Sequence, residues 1–241
     1  MAETPLQGQV SIVTGASQGI GRAVALRLAQ LGSTVVVAAR NQAGLEAVVH
    51  EIEQSSGRAL AVRTDVRSPE AVAKLAAAAL QNFGRIDILV NNAGIGYFGA
   101  PLHEMPPEAF TATMETNVGA VYLAMRAVAP HLIQRRSGHI INIASLAGHN
   151  PLPGGAAYAA SKAALHGLSV SAAEELRGYG IRVSLVCPGS VDTDLSPDLV
   201  GGKDRGKMLR PDDIAHVVAM LATQTPQSFV SEVLIRPTLK P

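Results

Sequence analysis

Tyr158 and Lys162 stand four residues apart in Tyr-Ala-Ala-Ser-Lys, a spacing that puts both side chains on one face of a helix. A free phenol titrates near pH ~10, too high for efficient proton exchange at neutrality. An ammonium within a few ångströms favours the phenolate, so such a pair can pass a proton to or from an oxygen. By spacing alone the two are an ordinary exposed helix pair; only their company makes them chemical. Ser145 closes the apolar run Ile140-Ile141-Asn142-Ile143-Ala144. Its hydroxyl can donate to a reacting oxygen and stabilise developing negative charge, or it can simply cap the next turn. Thr14-Gly15-Ala16-Ser17-Gln18-Gly19-Ile20-Gly21 follows the β-branched run Val10 to Val13 and opens a helical pattern. Glycines there let the backbone turn tightly and approach a pyrophosphate at the positive end of a helix.

These groups need a scaffold, and the rest of the chain reads as alternating strands and helices. The first helix spans about Ile20 to Leu31 and closes at Gly32, and Thr34 to Ala39 forms the second strand. A helix near Ala43 to Ser55 precedes a strand at Ala59 to Thr64. Ser68-Pro69-Glu70 then supplies an N-cap, an N1 proline and an acidic first turn for a helix ending near Gly84. Strands at Ile86 to Val90, Gly138 to Ala144 and Ile181 to Cys187 are separated by long helices over Pro107 to Arg135 and Ala156 to Tyr179. Arg210-Pro211-Asp212-Asp213 opens the last helix, and Phe229 to Arg236 is the seventh strand. The strands are continuous apolar runs, as expected when helices cover both faces.

The expected fold is therefore one Rossmann-type, doubly wound α/β domain over residues 1–241, a seven-stranded parallel sheet flanked by helices. Ligands of such sheets bind outside the carboxyl ends of the strands. Gly15, Arg40, Asp65, Asn91, Ser145 and Pro188 each follow a strand and should converge on that edge.

Composition narrows the function classes. The chain has 241 residues, 47% of them apolar and 16% charged, with a formal net charge of +1. Length and apolar content suit one well-buried domain, and the lean charged surface suits an oligomer. Near-neutral charge without a basic block argues against nucleic-acid binding. Cys187 is the sole cysteine, which argues against a disulfide framework or a cysteine-based metal site, and it reads as a small core residue at a strand end. The seven histidines show no metal-ligand spacing, so no metal is expected. The N-terminus lacks the build of a signal peptide. The longest uncharged stretch, Ile140 to Ser161, is broken by polar residues and proline, so a soluble, cytoplasmic protein without a membrane span is expected.

Cofactor choice is legible after the second strand. An NAD-dependent site normally presents a carboxylate there to the ribose 2′-hydroxyl. Here Val36-Val37-Ala38-Ala39-Arg40-Asn41 offers a guanidinium, which can hold a 2′-phosphate by charge-assisted hydrogen bonds. NADP(H) is thus expected over NAD(H). The competing reading is a solvated arginine stacked on the adenine.

The glycine spacing G-x-x-x-G-x-G, Asn91-Asn92-Ala93-Gly94, Ser145, Tyr158-x-x-x-Lys162 and Pro188-Gly189 occur in the order seen in the short-chain dehydrogenase/reductase family. The resemblance covers nearly the whole chain. It implies NADP(H)-linked interconversion of a small-molecule carbonyl (a ketone, an aldehyde or a 3-oxoacyl group) with a secondary alcohol. Tyr158 would be the general acid/base, aided by Lys162 and by the positive charge of the oxidised nicotinamide, with Ser145 on the carbonyl oxygen. Asn117 would bond a water linking Lys162 to solvent; otherwise it is a helix-surface asparagine. The resemblance places Gly15, Ser17, Gln18, Gly19, Ile20 and Gly21 at the pyrophosphate, and Asp65 and Val66 beside the adenine. It places Asn91, Ala93 and Gly94 along the cofactor, and Pro188, Gly189, Val191 and Thr193 over the nicotinamide. It also implies a homo-oligomer, tetramer or dimer, with the two long helices packed across subunits.

Two rivals stand beside that reading. One is an acyl-carrier 3-oxoacyl reductase, although such enzymes usually carry a Val-Asp-Gly-Gly-like segment after the last strand and this chain has Ile235-Arg236-Pro237-Thr238. The other is a non-catalytic NADP(H) sensor, which absence of Tyr158 or Lys162 would have favoured. Ser196 to Leu209, polar and glycine-bearing, reads as a substrate lid. His149 is either a solvated loop residue or a substrate contact, and Tyr97 and Phe98 either line the substrate mouth or pack the loop.

Overall fold

The computed structural model describes residues 4–150, 152–193, 195 and 204–241. Seven strands form one sheet in the order β3-β2-β1-β4-β5-β6-β7, all pairs parallel. The strands are β1 Val10–Thr14, β2 Thr34–Ala39, β3 Arg58–Arg63, β4 Ile88–Asn91, β5 Gly138–Ile143, β6 Ile181–Pro188 and β7 Glu232–Ile235. The helices are α1 Gly19–Gln30, α2 Gln42–Gln54, α3 Pro69–Phe83, α4 Pro107–Met114, α5 Ala120–Arg135, α6 Ala156–Arg177 and α7 Pro211–Ala222.

Strand pleating builds two cores from one sheet, because successive side chains point to opposite faces. Ile12, Leu89, Ile140 and Val183 meet α3, α5 and α6 on one side. Val13, Val90, Ile141 and Val186 meet α1, α2 and α7 on the other. The inner strands are therefore mostly apolar on both faces, with Ser11, His139, Asn142 and Ser184 among the buried polar exceptions.

Helix ends follow local chemistry. The Ser68 hydroxyl accepts from Ala71 N–H at 3.1 Å, and the Asn41 side chain caps α2 through Gly44 N–H at 3.1 Å. At the start of α7, the Asp213 carboxylate accepts from Arg210 N–H at 2.7 Å. No helix among the described residues is long and apolar enough to cross a membrane.

Two expectations change. The helix expected over Pro107 to Arg135 is interrupted by a π turn at Glu115–Gly119, which carries Asn117 inward. The last strand is shorter than Phe229 to Arg236, because its ladder to β6 engages only Glu232 to Ile235. Residues 196–203 of the expected lid lie outside the described residues. The remainder is bonded down: Leu209 N–H donates to Ser190 O at 3.0 Å, and the Arg205 guanidinium reaches Asp192 at 2.9 Å.

Candidate active site

The carboxyl ends of β1 to β6 open onto a cavity of about 1070 Å³, as the strand-end residues predict. It begins at Arg40 and Asp65, passes the glycine loop, and ends at Ser145, Tyr158 and Lys162.

The glycine loop is held by β4. Thr14 Oγ1 accepts from Asn92 N–H and Ala93 N–H at 3.0 and 3.1 Å, and Asn92 Nδ2 donates to Thr14 O and Gly15 O at 3.0 and 3.3 Å. A Cβ on Gly21 would come within 2.3 Å of Gly15 O and 2.5 Å of Asn92 Nδ2, so the turn closes only with glycine there. Gly15 itself has φ +66°, favoured by glycine. Helix α1 starts at the cavity with no side-chain cap and no acidic residue in its first turn. Its first N–H groups and positive dipole end are thus free to meet an anion. That cradle fits a pyrophosphate.

At the far end, Ser17, Arg40, Asn41, Asp65, Val66 and Arg67 line the wall. Arg67 binds both oxygens of Asp65, at 3.0 and 2.6 Å, and holds its carboxyl down at about 2. Arg40 is exposed and adds to the same electrostatic lowering. No carboxylate follows β2, so the end of that strand is cationic.

At the opposite end, Tyr158 is 8% exposed and Lys162 6%. Lys162 Nζ donates to Ile143 O at 2.9 Å and lies 5.6 Å from the Tyr158 ring centre. Burial lowers the Lys162 ammonium to about 8. Burial also raises the Tyr158 phenol, and a hydrogen bond with Ser145 opposes that rise. The direction of the phenol's shift is therefore set by loss of water and not by the lysine. Ser145 is fixed by accepting from Ala147 N–H at 3.1 Å and donating to Pro188 O at 3.5 Å. A hydroxyl, a phenol and an ammonium on one wall can orient an oxygen and exchange a proton with it.

Most of the sequence-derived site residues line this cavity: Gly15, Ser17, Gln18, Gly19, Ile20, Arg40, Asp65, Val66, Ala93, Gly94, Ser145, Tyr158, Lys162, Pro188, Gly189, Val191 and Thr193. Gly21, Asn91 and Asn117 do not. Gly21 is a packing position. The β4 strand runs one residue further than expected, which turns Asn91 into the sheet, where it donates to Asn142 Oδ1 at 2.8 Å. Its neighbour Asn92 points the other way and staples the glycine loop.

Asn117 is 1% exposed rather than on a helix surface. Its Oδ1 accepts from Ile95 N–H at 2.8 Å, and its Nδ2 donates to Ile95 O at 2.8 Å and Ser161 Oγ at 2.9 Å. Both amide protons are thereby used within the protein, leaving only an oxygen lone pair for any water.

Arg67 escaped sequence reasoning, and Thr14 and Asn92 were read only as members of their motifs; the adjacency of Asn92 to the glycine loop across β1 and β4 was the signal for their role. The 236–241 segment also lines the cavity. Phe98 packs its ring 5.1 Å from that of Tyr158, and His149 turns to Glu232 at 2.8 Å.

Residues 9–203 match the family model described as short chain dehydrogenase. A solved metagenomic short-chain oxidoreductase in complex with NADP is 50% identical, with 98% of this chain and 100% of that one covered and a TM-score of 0.87. An uncharacterised oxidoreductase of Methylorubrum extorquens is 40% identical over 241 residues, covering 95% of this chain and 96% of its own. A 3-oxoacyl-[acyl-carrier-protein] reductase of Synechocystis is 38% identical over 234 residues, covering 95% and 94%. The chain belongs to the short-chain dehydrogenase/reductase family. It is accordingly an NAD(P)-dependent oxidoreductase of the Rossmann fold.

Proposed function

We propose that the protein, acting as one domain over residues 1–241, is an NADP(H)-preferring reductase that interconverts a small-molecule carbonyl and a secondary alcohol. The observation that carries this reading is a single cavity with a cationic wall at Arg40 and, at its other end, the half-buried Ser145 beside the buried Tyr158 and Lys162. NADP(H), when bound, would supply or accept the hydride; Gly15 to Ile20 would hold its pyrophosphate, Arg40 its 2′-phosphate and Pro188 to Thr193 its nicotinamide. A relative solved with NADP supports that cofactor.

Ser145 donates to the carbonyl oxygen and holds it toward the phenol. Tyr158 donates its proton to that oxygen in reduction and takes it back in alcohol oxidation. A raised phenol pKa keeps Tyr158 protonated at neutrality, which suits the reductive direction. Lys162, anchored on Ile143 O, presents its charge beside the ring. Asn117 is a positioning residue that holds Ile95 and with it the loop bearing Ala93 and Gly94.

The test is NADPH and NADH oxidation against a panel of ketones, aldehydes and 3-oxoacyl thioesters, with Tyr158→Phe as control. We expect turnover with NADPH, abolished in the variant while cofactor affinity is kept. Normal turnover by Tyr158→Phe would remove the proton-donor role. Tight NADPH binding without turnover of any carbonyl would favour a sensor, and turnover confined to thioesters would favour the acyl-carrier reading. Phe110 and Tyr122 and Val170, on α4, α5 and α6, are at least 43% exposed, which supports a homo-oligomer joined through these helices. Sedimentation as a monomer at micromolar concentration would refute that.

A further inference from the structure

Behind the catalytic wall, four side chains from four separate elements meet around one carboxylate oxygen. His149 Nε2 lies 2.8 Å from Glu232 Oε1, Cys187 Sγ 3.3 Å from it and His166 Nε2 3.7 Å from it. Cys187 Sγ and His149 Nε2 are 3.8 Å apart, and the two imidazoles stand edge to face at 5.3 Å. We propose that His149, Cys187 and Glu232, whose ligand atoms all lie within 4.8 Å of one another, form a site for a divalent transition metal of the zinc type, with His166 beside it on Glu232.

The geometry suits a tetrahedral ion. Bonds of about 2.0–2.1 Å to nitrogen or oxygen and about 2.3 Å to sulfur give ligand-ligand edges of roughly 3.3–3.7 Å. Two of the three separations among these ligands, 3.3 and 3.8 Å, fall on or close to that range. The shorter one is the His149–Glu232 hydrogen bond, and it lies between two partly exposed side chains with room to part. The donor set of imidazole, thiolate and carboxylate suits a borderline ion, whereas magnesium and calcium prefer all-oxygen shells. Binding breaks the Cys187 S–H bond and releases that proton to solvent. The His149 imidazole stays neutral with its proton on Nδ1, and thiolate plus carboxylate balance the two charges of the ion.

A nucleophilic Cys-His-Glu relay fits the same residues less well. Glu232 sits between the thiol and the imidazole, binding both, rather than behind the histidine. The thiol is 1% exposed, which keeps an external electrophile from it.

The placement gives the site a consequence. His149 follows Ser145 by four residues on the same loop, His166 follows Lys162 by one helical turn on α6, and Cys187 precedes Pro188, whose carbonyl accepts from Ser145. One ion would fasten the Ser145 loop to strands β6 and β7, beside His166 of the Lys162 helix, while touching neither catalytic side chain. This inference does not rest on the proposed substrate chemistry.

The test is cobalt(II) titration of the full-length protein, read by absorption. Cys187 is the only cysteine, so a thiolate-to-cobalt charge-transfer band reports this site alone, and ions held by surface histidines do not produce it. We expect the band to saturate at one equivalent and to disappear on adding zinc. Cys187→Ser should lack the band, while His149→Ala and Glu232→Gln should weaken affinity at least ~10-fold and His166→Ala should weaken it less. Zinc at 100-fold above its Kd should raise the melting temperature by roughly 5–10 °C in wild type and not in Cys187→Ser. Absence of the band at saturating cobalt, its survival in Cys187→Ser, or unchanged affinity in both His149→Ala and Glu232→Gln would overturn the proposal.

Discussion

Replacing Asn117 with alanine isolates the joint between the π turn and the cofactor-side loop. The substitution deletes three hydrogen bonds of 2.8, 2.8 and 2.9 Å at a side chain that is 1% exposed. Ser161 Oγ loses little, because it still donates to Tyr158 O at 2.7 Å. Ile95 loses partners for both its N–H and its C=O, which are part-buried beside the cavity, so each costs toward the low end of the ~1–3 kcal/mol of an unpaired buried group. The expected destabilisation is therefore roughly 2–3 kcal/mol, a sizeable share of a typical ~5–15 kcal/mol total. For a chain of this length each kcal/mol moves the melting temperature by about 2–4 °C, so a loss of ~2 kcal/mol lowers it by roughly 4–8 °C. Thermal unfolding followed by circular dichroism, without cofactor, measures this directly. Turnover measured well below the melting point should also fall, because Ile95 and the adjoining Gly94 are no longer held beside Lys162. An Asn117→Ala protein melting with wild type would refute the positioning role, since a buried side chain with three hydrogen bonds cannot be removed without loss.

Gly21→Ala should raise the KM for cofactor by more than ~10-fold and lower the melting temperature, because its Cβ meets backbone oxygen at 2.3 Å; wild-type behaviour would mean the turn is not closed as described. Lys162 is lowered from 10.5 to about 8 in the fold. The unfolded chain therefore binds the extra proton between these values, and this residue makes stability climb as pH rises from about 8 to about 10.5. The gain is about 3 kcal/mol, and denaturant melts of Lys162→Met should lack that climb. Arg40→Asp should reverse cofactor choice, costing NADPH roughly 10- to 100-fold in kcat/KM through lost charge-assisted bonds while sparing NADH. Equal losses for both cofactors would show that Arg40 does not read the 2′-phosphate.

Much of the site was legible because it depends on local pattern. Apolar runs alternating with capped helices specify a parallel sheet, and a parallel sheet delivers Gly15, Arg40, Asp65, Ser145 and Pro188 to one edge whatever their separation in the chain. Boundaries carried less information, and at β4 one residue mattered. A strand ending at Asn91 instead of Val90 sends Asn91 into the sheet and leaves Asn92 to hold the glycine loop. The π turn was equally hidden. An extra residue in a helical turn leaves no periodic mark in so short a segment, yet it decides that Asn117 faces Ile95 rather than water.

Tyr158 and Lys162 show the division most clearly. Their residue types and four-residue spacing, set by the sequence, establish that a phenol and an amine share a helix face. Only the tertiary structure decides how they titrate, because burial raises the phenol and lowers the amine against the simple expectation from their charges. The same holds for His149, His166, Cys187 and Glu232, which have no ligand spacing along the chain. They meet because β5, β6 and β7 adjoin and α6 crosses them, a long-range arrangement that no local periodicity encodes.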